Sequence, residues 1–164
     1  VLGDTTVLLE QPAGIRVVTD DRLEQVAAGQ HRAMHQHATG SADHDRSFAE
    51  LVTEQRRHRN HPDGFWVAST DPSAAQHALT DTVPHGGLER AAVLSDGATR
   101  LVDRFGLLDW QSFLDILAEQ GPDAIIAQVR AAEQSDPDGQ RWPRGKRHDD
   151  ASAAYIALDG MANP

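Results

Sequence analysis

Three acidic positions stand beside strand-like apolar runs. Asp4 lies in Leu2-Gly3-Asp4-Thr5 ahead of residues 6–10, and Asp96 follows the run 91–94 in Ser95-Asp96-Gly97. Asp149, with Asp150 beside it, opens the run 151–158. Hard divalent cations take oxygen ligands, and carboxylates at strand ends deliver them from rigid supports. The glycine in Asp96-Gly97 allows a sharp backbone turn and leaves room for water beside an ion. Each position alone has a plainer reading, since Gly-Asp and Asp-Gly are common turns and Asp149 could cap a strand. Taken together, Asp4, Asp96 and Asp149 are the candidate metal ligands.

Two basic or nitrogen-bearing groups offer other chemistry. Arg141, Arg144, Lys146 and Arg147 form a basic loop just before Asp149. It is either an ordinary exposed loop or a contact for an anionic substrate, for which Arg144 and Arg147 are the weak substrate-binding candidates. His31 and His35 stand at i and i+4 on an expected helix, a spacing that can chelate Zn²⁺. His-Glu-x-x-His is absent and no third ligand is convincingly placed, so solvated histidines on a polar helix are the plainer expectation. Gly-x-Ser-x-Gly, Walker-type and Rossmann patterns are absent as well, which removes support for acyl hydrolases, nucleotide hydrolases and dinucleotide enzymes.

The elements that must position these groups follow from hydrophobic periodicity. Residues 6–10 and 15–19 predict a β-hairpin, with Pro12 presetting the turn and Gly14 closing it. Asp20 or Asp21 is placed to cap a helix through about Gly29. Phe48, Leu51 and Val52 predict an amphipathic helix over 47–58. A short strand is expected over 64–69, a brief helix over 73–79 and a strand ending at Leu94. A helix over 98–105 follows. Trp110, Phe113, Leu114 and Leu117 mark another, capped by Asp109, and Ile125, Ile126 and Val129 mark the last. Residues 135–146 read as a loop, and 151–158 as a final strand ended by Asp159-Gly160. Hairpin-forming strands interleaved with helices point to an α+β layered fold, not a doubly wound sheet.

Composition bounds the function classes. At 164 residues with 39% hydrophobic and only 5% aromatic residues, the chain forms one domain with an aliphatic core. The absence of cysteine excludes disulfides, thiolate metal sites and cysteine nucleophiles, and points to a cytoplasmic protein. A net charge of −10 disfavours nonspecific nucleic-acid binding. No apolar run approaches the roughly 18 residues a membrane span needs, and neither a signal-peptide n-region nor an h-region is visible. The chain begins with Val and enters a strand pattern almost at once, which leads us to expect that the sequence opens in mid-domain.

The order of these pieces resembles the metal-dependent protein serine/threonine phosphatases of the type 2C class. That family opens a hairpin with Gly-Asp-Ser, and Gly3-Asp4-Thr5 is similar, with Thr5 in place of Ser. Its hairpin ends in a Thr-x-Asp-His type segment, which Thr19-Asp20-Asp21-Arg22 resembles without the His. Ala92-Val93-Leu94-Ser95-Asp96-Gly97 resembles its apolar strand ending Ser-Asp-Gly. His148-Asp149-Asp150-Ala151-Ser152 resembles its Asp-Asn-x-Thr, with Asp150 for Asn and Ser152 for Thr. The stretch from 31 to 85 matches only loosely.

The resemblance implies an αββα four-layer sandwich of mostly antiparallel sheets, with two or more Mn²⁺ or Mg²⁺ ions at one end. Residues 1–160 would be the C-terminal portion of that single domain. The N-terminal portion, which supplies an acidic residue, a phosphate-binding Arg and the metal-bridging Asp-Gly, is absent from this sequence. Asp96 and Asp149 would hold the central metal pair, and Asp4 an auxiliary ion shared with Asp96. The implied reaction is hydrolysis of phosphoserine or phosphothreonine monoesters in a phosphoprotein substrate by metal-activated water, with only part of the site on this chain. Exposed strand edges lead us to expect a homodimer. A non-catalytic phosphatase-like binding or regulatory module, and an unrelated acidic α+β interaction domain, stay open as alternatives.

Overall fold

The computed structural model describes residues 1–158, so the expected stop at Asp159-Gly160 lies outside the described residues. Strands β1 (Thr6–Gln11) and β2 (Gly14–Thr19) form the expected hairpin. Gly14 closes the turn at a φ of +124°, a conformation open to glycine and strained for other residues. Helices α1 (Arg22–Gln25), α2 (Ala28–Met34) and α3 (Ala42–His58) follow. Then come β3 (Arg90–Leu94), α4 (Asp96–Asp103), α5 (Trp110–Gln120), α6 (Pro122–Ser135) and β4 (Ala153–Ala157). The four strands make one antiparallel sheet in the order β2-β1-β3-β4. The fold is thus mixed α and β around an antiparallel sheet.

Strand alternation gives the sheet two unlike faces. One face carries Thr6, Leu8 and Glu10 of β1, with Ala92 and Leu94 beside them on β3. Leu8, Ala92 and Leu94 pack there with Ala98 and Leu101 of α4, Phe113, Leu114 and Leu117 of α5, and Ile125 and Val129 of α6. Glu10 is a buried carboxylate on this face. Arg90 and Gln111 donate to its carboxylate, so a buried charge is matched.

The other face carries Val7, Leu9, Val18, Ala91, Val93, Ala154 and Ile156. Val93 and Ile156 remain 41% and 47% exposed. Ala91 on this face is buried and Val7, Leu9 and Val18 are partly buried, so the exposed part is the β3–β4 side around Val93, Ala154 and Ile156.

The helix expected over 21–29 is instead two short pieces. Ala27 at φ +61° breaks it, and the next helix starts afresh at Ala28. Asp21 makes no side-chain cap. Asp20 takes that place, accepting from the backbone and guanidinium of Arg22. Helix α3 starts earlier than predicted because Ser41 accepts from the His44 N–H, a true N-cap. The strand expected over 64–69 is a single bridge between Arg59 and Phe65 within extended chain. The brief helix at 73–79 is a 3₁₀ turn, Pro72–His77, capped by Asp71. Asp109 caps α5 as expected.

Phe113 is completely buried, so Phe113→Ala should cost about 3–5 kcal/mol in urea unfolding. Ile156→Thr, on the open face, should change stability by no more than about 0.5 kcal/mol. A large loss at Ile156 would show that this face is covered in solution.

Candidate metal centre

Antiparallel pairing brings the three predicted carboxylates to one edge of the sheet. The register sets Thr6 opposite Leu94 and Leu94 opposite Ala153, so β1 begins, β3 ends and β4 begins at the same edge. Asp4 precedes Thr6, Asp96 follows Leu94 and Asp149 precedes Ala153, each by a few residues on that side.

The β3 and β4 strands stay bound beyond their last ladder rung. The Ser95 N–H donates to the Ser152 carbonyl at 3.0 Å, and the Ser152 N–H donates to Ser95 Oγ at 2.9 Å. Gly97 then lies so close to this segment that a Cβ would come within 2.2 Å of the Asp150 carbonyl oxygen. Its φ is not positive, so it serves close approach where a sharp turn was expected. That approach keeps Asp96 beside the Asp149-Asp150 segment.

Asp96 opens α4 and its Oδ1 accepts from the Gly97 N–H at 2.7 Å. A helix N-terminus favours a carboxylate, yet this group's pKa is raised. Protein packed on one side of it strips water from the charged form, and the negative charges of Asp149 and Asp4 add to the effect. The group keeps its other side open to solvent. Burial and two like charges therefore outweigh the helix terminus, and a cation at this edge would relieve the repulsion. Asp4 is exposed, behind Gly3, which packs against Val67 at a φ of +71°.

Asp149 differs from the other two because protein cations already hold it. Arg100 Nη2 donates to Oδ2 at 2.6 Å and Lys146 Nζ to Oδ1 at 2.8 Å. The other amino group of Arg100, Nη1, donates to the wholly buried Glu133 at 2.7 Å. Glu133 also accepts from Arg130 Nη1 at 2.6 Å and His148 Nδ1 at 2.8 Å. Burial alone would raise the Glu133 pKa, but these hydrogen bonds and the Arg130 and Arg100 charges bring it below the usual range.

The two arginines proposed as substrate contacts separate. Arg144 is completely enclosed and does not face a surface. Its guanidinium donates to the Asp136 carboxylate at 3.1 Å and to the carbonyls of Trp142, Glu133, Asp136 and Arg147. Its own carbonyl accepts from Thr39 and His44, joining the loop to the α2–α3 pair. Arg144 is therefore a structural strut. Arg147 stays exposed, 3.7 Å from Asp138.

The sequence reading missed Arg100, Arg130 and Glu133. A signal was present in the spacing, because Glu133 falls four residues after Val129, on the apolar stripe of α6. A carboxylate on a core stripe requires a cationic partner. His31 lies on helix α2 and His35 is its C-cap residue, with ring centroids 6.2 Å apart. Burial, then the Arg104 charge, lowers both pKa values.

Carboxylate oxygens fit a hard divalent cation in kind. The set is incomplete, since among the described residues no group of three or more His, Asp or Glu side chains is arranged to hold a metal. No helix among them is long and apolar enough to cross a membrane. No protein-family model, curated protein or solved structure matches the chain.

Because the folded-state pKa of Asp96 lies above its unfolded value, its ionisation opposes folding. That penalty sets in as pH rises through the unfolded value and is fully present above the folded one. Metal-free Asp96→Asn should therefore melt higher than the parent at pH 7, with the difference vanishing in acid. Gly97→Ala should cost about 1–3 kcal/mol in urea unfolding, because the Asp150 carbonyl must move. Arg144→Met should cost about 3–5 kcal/mol by leaving Asp136 buried without its cation.

Proposed function

We propose that the chain is the C-terminal part of a metal-dependent protein serine/threonine phosphatase domain of the type 2C class. In this reading Asp4, Asp96 and Asp149 hold Mn²⁺ or Mg²⁺. The observation that carries it is the common end of the sheet, where strand register brings the segments bearing three separated carboxylates together. The motif order around those residues supplies the family. The exposed apolar side chains of Val93 and Ile156 support the sandwich part of the reading, because a second sheet packing about 10 Å away would cover them.

When bound, such ions supply the charge that activates water and neutralises phosphoryl oxygens. Asp96 gives the open carboxylate that gains most from a cation, and Asp4 adds charge from the segment just before β1. Of the two candidate arginines, Arg147 is the one exposed to meet a phosphoprotein substrate. The reading includes a cytoplasmic setting and a homodimer formed through exposed strand edges.

A non-catalytic phosphatase-like binding module is the second reading. It is favoured by the two protein cations on Asp149, which occupy both oxygens of a ligand that catalysis would require.

A thermal-shift titration with Mn²⁺ separates the readings. Saturation at a hundredfold excess over the dissociation constant should stabilise the parent by about 2.7 kcal/mol, and Asp96→Ala or Asp149→Ala should abolish the shift. No shift in the parent would set the metal-dependent reading aside in favour of the binding module or an unrelated acidic domain.

A further inference from the structure

We propose that the free edge of β4 pairs antiparallel with β4 of a second copy of this chain, in the register that sets Tyr155 opposite Tyr155. The proposal deepens the homodimer part of the reading above, rests on that reading only for the second copy, and involves no metal.

The hydrogen-bond phase of β4 decides which of its backbone groups are free. The Leu158 N–H donates to the Glu89 carbonyl at 2.9 Å, and the Ser95 N–H to the Ser152 carbonyl at 3.0 Å. In an antiparallel ladder the residues bonded to one neighbour recur at every second position, so Ala154 and Ile156 also bond toward β3. Ala153, Tyr155 and Ala157 therefore aim their N–H and C=O groups away from β3. β4 ends the strand order, and among the described residues nothing pairs with those groups. A row of unpaired donors and acceptors is a template for another strand.

Edges that resist pairing carry a charge, a proline or a bulge. β4 reads Ala-Ala-Tyr-Ile-Ala, and its register runs without interruption, so it has none of these. The opposite edge differs, because β2 carries Arg16 in an ion pair with Asp81. β4 is the unguarded edge.

The same phase selects the occupant. Outward-pointing residues must face outward-pointing residues, and centring on Tyr155 is the register that pairs all of Ala153–Ala157 with itself. On the core side the two tyrosines then form an aromatic cross-strand pair. On the open side Ile156 of each copy stands beside Ala154 of the other. Ala154 is small, and with Val93 it lines a shallow groove of about 320 Å³ that also meets Thr5 and Ser152. A large side chain from each copy thus meets a hollow on the other, the self-complementary match that a two-fold pair requires. An unrelated strand would gain the backbone bonds without this match.

Two effects limit the strength of the pair. Each copy carries a net charge of −10, and a strand of 5 residues makes a short interface. Association therefore falls in the weak class, with a dissociation constant on the order of micromolar or above, and salt should strengthen it by screening the repulsion.

The experiment uses the full chain with EDTA present, and circular dichroism establishes that each variant is folded. Sedimentation equilibrium over a concentration series should show the parent passing from monomer to dimer. Ala157→Pro deletes one outward donor in each copy and leaves the bonds to β3, so it should weaken dimerisation by about tenfold or more. Ile156→Lys keeps every backbone donor but loses the apolar contact, and should weaken it too. Val17→Lys, on the β2 edge, should change nothing. Because the chain lacks cysteine, a mixture of Ala154→Cys and Ile156→Cys oxidised with glutathione disulfide reads the register. The mixture should cross-link where neither variant does alone, since facing residues of a non-hydrogen-bonded pair lie about 4.5 Å apart at Cα. A monomer at every concentration, a dimer untouched by Ala157→Pro and Ile156→Lys, a dimer lost in Val17→Lys, or cross-linking by either cysteine variant alone would overturn the proposal. A β4 dimer in a chain that gives no response to Mn²⁺ leaves the proposal standing and removes only the metal reading.

Discussion

The arrangement depends on one buried carboxylate. Glu133 sits within the apolar stripe of α6, where an uncompensated charge would cost several kcal/mol. Its compensation comes from three directions: Arg100 on α4, Arg130 on its own helix, and His148 just before the final strand. Satisfying this anion therefore docks α4 against α6 and draws the 148–149 segment to the sheet edge. A hydrophobic core of Leu, Val and Ala would hold these layers together without specifying their register so narrowly.

The same logic repeats nearby at lower stakes. Arg144 and Asp136 form a second enclosed pair that shapes the loop between α6 and β4. Asp136 also accepts from the backbone N–H groups of Gln140, Arg141 and Trp142, so the loop has a fixed course despite its polar composition. Against these matched charges, the edge bearing Asp4 and Asp96 is unbalanced. Burial, and then the like charges of Asp149 and Asp4, raise the Asp96 pKa, so its ionisation opposes folding.

Much of the fold was legible in the sequence, because the hairpin, β3, α5 and α6 carry strong periodicity and clear punctuation. Asp109 and Gly14 acted as their types predict. Segments without a buried face were less legible. Residues 64–69 combine strand-favouring Phe, Trp and Val, yet only Phe65 is buried and no neighbouring strand extends the single bridge. The break at Ala27 could not be read locally, since alanine favours helix and the positive φ is imposed by surrounding structure. The shared location of Asp4, Asp96 and Asp149 at one end of the sheet was legible from their places beside strand-like runs. Arg144 was misjudged because a basic loop reads as exposed, and nothing local marks the carbonyls that enclose it. Glu133 was legible in principle, but only to a reading that asks of every charge on a core stripe what neutralises it.

The central claim is that a divalent cation binds at the edge shared by β1, β3 and β4. Paramagnetic broadening of backbone amide signals by substoichiometric Mn²⁺ tests it most directly, because the effect maps the ion's position without assuming catalysis. The account predicts selective broadening around Asp4, Asp96–Gly97 and Asp149–Asp150. Broadening centred on His31 and His35, or spread evenly over the acidic surface, would contradict it.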